Sequence, residues 1–115
     1  MFAVVRVGWC TIGVQEVRVH YPFFVNLKVH SQTNDVGDET RLVMHRIRAV
    51  LAAVGLSMND VCKTTIFMTD FEDYSIVTEV HGEYFETLPA RSTVKVAELL
   101  MGARVEIESV AVRSS

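Results

Sequence analysis

The apolar positions of this chain follow two alternating rhythms, one of period two and one of helical period. Phe23, Val25, Leu27 and Val29 alternate with Phe24, Asn26, Lys28 and His30. That pattern predicts a half-buried strand, because successive strand side chains point to opposite faces. Ala3 to Val7 and Val14 to Val19 predict two further strands ahead of it. The turn formers of 31–38 (SQTNDVGD) then break the pattern, and Asp38 is placed to cap a following helix. Val43, Ile47, Val50, Leu51 and Val54 recur at helical spacing and Gly55 supplies a left-handed stop, so a helix is predicted from Glu39 to Val54.

Ser57 and Asp60 have the spacing of a capping box with Asp in place of the usual Glu, which predicts one helical turn. The β-branched and aromatic run from Val61 to Thr69 predicts a strand. Asp70 or Asp73 can cap a second helix along Tyr74, Val77, His81, Tyr84 and Phe85, closed by Pro89. Two strands follow, near Ser92 to Val96 and Arg104 to Val112, parted by a turn in which Gly102 takes positive φ. The predicted order is βββαβαββ. Ile66 and Met68 alternate with Val61 and Phe67, so both sheet faces want cover, and two helices can cover only one. Self-association is the economical way to shelter the other.

Composition narrows the class. The 115 residues are 50% hydrophobic with only 2 Pro and 6 Gly, which reads as one globular domain spanning 1–115. Charges at Arg6, Glu16, Arg18 and Lys28 interrupt every apolar stretch, so no bilayer-spanning helix is expected. The apolar N-terminus lacks a basic leader and a small-residue cleavage site and reads as a strand rather than a signal peptide. Eleven Lys+Arg against fourteen Asp+Glu give a net charge of −3, which provides no global attraction to nucleic-acid phosphates. Cys10 and Cys62 are spaced neither as a zinc pair nor as a redox motif, and are expected to be buried free thiols in a reducing cytoplasm.

The familiar hydrolase, metalloprotease and phosphate-loop motifs are missing. His81-Gly-Glu83 matches half of a zinc deaminase motif, but its PCxxC half does not occur, and His81 is expected on a helix surface or at a subunit contact. His20 and His30 are expected at solvated strand ends, with no third ligand to define a metal site. Arg91 and Glu106 stand out because both occur in extended structure, where a sheet holds a side chain rigidly. A guanidinium there matches a carboxylate with two parallel hydrogen bonds. The competing reading for Arg91 is a surface arginine or an ion pair with Glu106 or Glu108.

The segments DETRLVMHRIRAVLAAVGLSMNDVCKTTIFMTDFEDYSIVTEVHGEYF and PARSTVKVAELLMGARVEIESVAVR resemble the RidA family of reactive-intermediate deaminases, also called YjgF-type or L-PSP-type proteins. The resemblance covers 38–113, and PARS followed by VEIE and AVR carries most of its specificity. It implies an α+β, chorismate-mutase-like domain: a mixed sheet with two helices on one face, three copies forming a trimeric barrel of sheets with clefts at the subunit contacts. It also implies hydrolysis of enamines and imines such as 2-aminoacrylate to 2-oxo acids and ammonia, without metal or organic cofactor. Arg91 falls on the family's carboxylate-binding arginine and Glu106 on a glutamate that positions the attacking water. Thr93 and Thr78 fall at cleft positions, Thr78 in place of an asparagine. The family's GPYSQA and SGQ segments have no counterpart in 1–37. RVGWCTI places Gly8 at the SGQ glycine, whereas VHSQ would offer Ser31 and Gln32. A ligand-binding or chaperone-like trimer without turnover is the main alternative, and an endoribonuclease is disfavoured by the charge balance.

Overall fold

The computed structural model describes residues 4–9, 14–22, 35–99 and 102–114. Its elements are β1 (Val4–Trp9), β2 (Val14–Pro22), α1 (Val36–Ala53), β3 (Val61–Met68), α2 (Tyr74–Gly82), β4 (Ala90–Lys95) and β5 (Val105–Ser114). Single 3₁₀ turns at Met58–Asp60 and Phe71–Asp73 introduce β3 and α2. The strands form one mixed sheet in the order β1-β2-β5-β3-β4. All neighbours are antiparallel except β3 and β4, whose parallel pairing is made possible by the α2 crossover. The strand expected over Phe23 to Val29 lies outside the described residues, as do Cys10, His30, Ser31 and Gln32.

α1 begins at Val36 and not at Glu39, because Asp35 and not Asp38 is the cap: the Gly37 backbone N–H donates to Asp35 Oδ1 at 2.7 Å. The helix ends where expected, and Gly55 adopts φ 77°. The Ser57 N–H donates to Asp60 Oδ2 at 2.9 Å, as the capping spacing required. Asp70 accepts from the Glu72 N–H at 2.9 Å and sets up the turn before α2. α2 stops at Gly82, so Tyr84 and Phe85 fall in the turn beyond it, and not on the helix as their spacing suggested.

Alternation in the central strands separates the two faces. Thr64, Ile66 and Met68 of β3 and Val105, Ile107, Ser109 and Ala111 of β5 are buried against Val43, Met44, Ile47 and Leu51 of α1 and Val77 of α2. Thr65, Phe67, Glu106, Glu108, Val110 and Val112 line the other face and are only half-buried. Val61 breaks the expected parity. A bulge between Val61 and Lys63 returns it to the helix side opposite Ala111, whereas strict alternation put it with Phe67. The same bulge leaves the Cys62 thiol exposed, correcting its expected burial. Glu39 is fully buried in α1 and accepts from Arg104 Nε at 2.8 Å, which pairs a charge that burial alone would make costly. Among the described residues no helix is long and apolar enough to cross a membrane.

Candidate active site

β4 lies at one edge of the sheet beside β3, and its register opposes Arg91 to Thr64. Thr64 in turn faces Ser109 on β5. Since directly paired residues share a face, Arg91, Thr64 and Ser109 form one polar row across three strands, on the side covered by the helices. α2 sets His81 over the middle of that row. Its Nε2 lies 2.9 Å from Thr64 Oγ1, and its ring packs 4.9 Å from that of Phe85. The imidazole is 1% exposed, and its other nitrogen, Nδ1, has no hydrogen-bond partner among the described residues. At the edge of the row, Arg91 Nη2 donates to the Tyr74 hydroxyl at 3.0 Å, and the guanidinium carbon sits 5.7 Å from the centroid of the Tyr74 ring.

Of these side chains His81 and Arg91 border a cavity of about 310 Å³, which Thr78, Gly82, Leu88 and Pro89 complete. Its chemistry is a fixed cation, a hydroxyl, an imidazole and an apolar wall. Burial, reinforced by the positive charge of Arg91, lowers the His81 pKa from 6.5 to about 4. The imidazole is therefore neutral around pH 7, while Arg91 offers a planar fork of donors.

The structure gathers some of the expected residues and separates others. Arg91 and Thr78 share the cavity. Thr93 lies on the same face of β4, opposite Ile66, with its hydroxyl buried, but outside the cavity lining. Glu106 opposes Phe67, and its neighbour Ile107 points into the core, so its side chain starts from the helix-free face, the side opposite Arg91. Gly8 lies on β1, opposite Glu16 of β2, at the far edge of the sheet from β4. Arg91 meets the Tyr74 phenol rather than an acidic partner on β5. His81 is the residue that sequence reasoning misplaced. It is in the core and not on a helix surface, and its position four residues after Val77 was the signal that could have placed it there.

A mixed sheet under two helices, with Arg91 at its parallel edge, defines an α+β single-domain protein. The sequence model of the Endoribonuclease L-PSP family matches residues 25–113, and the chain belongs to that family, the RidA or YjgF group. It is 41% identical over 85 residues to a protein named putative reactive intermediate deaminase TdcF from Escherichia coli K12, covering 70% of this chain. That match spans 66% of TdcF, just under two thirds of its length. Identity to the E. coli K12 2-iminobutanoate/2-iminopropanoate deaminase is 37% over 93 residues, covering 77% of this chain and 73% of that one. The crystal structure of E. coli TdcF with bound serine superposes with a TM-score of 0.77 at 36% identity, covering 86% of this chain and 81% of that one. Gly8 lies outside the segment that the family matches.

Proposed function

We propose that this chain hydrolyses reactive enamines and imines of the 2-aminoacrylate type to 2-oxo acids and ammonia, in a reducing cytoplasm. The observation that carries the reading is Arg91 at the border of a small, partly apolar cavity, shared with Thr78 and His81. A guanidinium binds a carboxylate through two parallel hydrogen bonds, and Leu88 and Pro89 suit a short alkyl side chain. The imine carbon is already electrophilic, so anchoring, a placed water and proton transfer suffice for the chemistry. Relatives named for the deamination of reactive intermediates and 2-imino acids support the same substrate class.

Glu106 is proposed to orient the attacking water. Because it starts from the helix-free face, this role requires that face to belong to the site, and closure by further copies would bring that about. Half-buried Phe67, Val110 and Val112, with exposed Val94 opposite Phe67, support the reading of this face as the contact within a homotrimer. Thr93 is proposed to support β4 next to the anchor.

The test is to couple the purified protein to a PLP-dependent serine or threonine dehydratase and follow release of the 2-oxo acid. Acceleration over the spontaneous rate is expected, with loss of that acceleration in Arg91→Ala. The separation of Glu106 from Arg91 favours a second reading, a carboxylate-binding protein without turnover. That reading predicts Arg91-dependent binding of pyruvate and no acceleration.

A further inference from the structure

Arg91 is half-buried on the edge strand β4, and its side chain is long and rich in rotamers. Such a side chain binds a carboxylate well only if its plane is set in advance, because freezing it at the moment of binding weakens affinity by about two- to tenfold. α2 supplies the group that sets it. Tyr74, Thr78 and His81 follow one another at helical spacing and share one face of α2. Thr78 and His81 line the cavity with Arg91, and Tyr74, one turn nearer the start of the helix, reaches the guanidinium itself. Its hydroxyl accepts from Arg91 Nη2 at 3.0 Å, and its ring lies 5.7 Å from the guanidinium carbon, within the reach of a cation over an aromatic face. Taking Arg91 as the carboxylate anchor of the deaminase reading, we propose that Tyr74 is the positioning residue of that anchor, holding the guanidinium plane ready for the carboxylate of a 2-imino or 2-oxo acid.

The tyrosine is itself held. Phe71 packs edge-on against its ring at 6.4 Å between centroids, on a turn fixed by the Glu72 N–H donating to Asp70 Oδ1. Tyr74 takes one donor of the guanidinium and leaves the rest of the fork for a ligand. Core packing does not account for it, since the residue is 41% exposed and stands outside the buried cluster. A hydrogen bond so exposed adds little to folding stability, and its loss should register in binding instead.

The experiment measures pyruvate affinity by calorimetry, and imine hydrolysis in the dehydratase-coupled assay, for wild type, Tyr74→Phe, Tyr74→Leu and Arg91→Lys, and for Tyr74→Phe combined with Arg91→Lys. Tyr74→Phe keeps the ring and loses the acceptor, and is expected to weaken pyruvate binding about three- to tenfold with a melting temperature close to that of wild type. Tyr74→Leu loses the ring face as well and should weaken it further; if it fails to fold, Tyr74→Phe decides the matter. In the Arg91→Lys background Tyr74→Phe should cost less than about twofold, because lysine has no plane to set. A merely structural tyrosine would lower the melting temperature and leave pyruvate affinity alone. Equal affinity in Tyr74→Phe and wild type, or an undiminished loss in the Arg91→Lys background, would overturn the role of Tyr74, and turnover by wild type would then leave the deaminase reading standing. Tyr74-dependent pyruvate binding in a wild type without turnover would do the reverse. No pyruvate binding by wild type would overturn the anchor and the role of Tyr74 together.

Discussion

His81 shows how one buried side chain couples stability to acidity. In the folded chain its pKa is lowered to about 4 by burial and by Arg91, whereas in the unfolded chain it returns to 6.5. Between those values the unfolded state binds a proton that the folded state refuses, so stability is intact above pH 6.5 and falls as the pH drops towards 4. The loss by pH 4 is on the order of 2 to 3 kcal/mol from this residue. Urea unfolding at pH 7 and pH 4.5 should show that loss in wild type and a smaller one in His81→Gln; equal losses would mean the imidazole is not held neutral. At Glu106 the expectation concerns rate. Glu106→Gln should lower kcat while leaving pyruvate affinity unchanged, since the amide fills the space but no longer presents a carboxylate to water. Glu108, two residues on and on the same face, serves as the control. Unchanged turnover in Glu106→Gln would assign Glu106 to the contact between copies.

At the scale of elements, the entry to α1 is the feature most sensitive to a single cap. Asp35→Ala removes the acceptor for the Gly37 N–H and should cost about 0.5 to 2 kcal/mol in chemical unfolding, whereas Asp38→Ala should cost less. The reversed order would return the cap to Asp38. The start of this helix was misread because Gly37 looks like a turn former. Its missing Cβ instead makes room, since a Cβ there would lie 3.0 Å from Asp35 Oδ1 and 3.3 Å from Ile76 Cγ2. Where pattern and local chemistry agree, the sequence was legible: β3 spans the expected run, Gly55 and Gly102 take positive φ, and the Ser57–Asp60 box forms. Where tertiary pairing decides, it was not. No periodicity announces the bulge that turns Val61 inward, and spacing alone does not reveal that the register sets Arg91 and Glu106 on opposite faces. Arg91 and Thr78, both singled out from the sequence, line one cavity. The buried imidazole above Thr64 was missed, because a histidine on an amphipathic helix reads equally well as surface or core.

For the whole molecule, the helices cover one face of the sheet and leave Phe67, Val94, Val110 and Val112 on the other. Closure of that face by three copies should appear in light scattering of dilute protein as a trimer. A stable monomer would remove both the shared contact and the part proposed for Glu106. The account as a whole depends on Arg91 as a carboxylate anchor, and calorimetry of pyruvate binding to wild type and Arg91→Lys tests that most directly. Lysine keeps the positive charge but gives up the paired donors. The affinity should therefore fall by about ten- to a hundredfold, corresponding to a loss of about 1.5 to 3 kcal/mol, while the melting temperature stays close to that of wild type. Equal binding by both proteins, or no binding by either, together with a lowered melting temperature in Arg91→Lys, would show that Arg91 serves only to hold Tyr74 and α2 against the sheet edge.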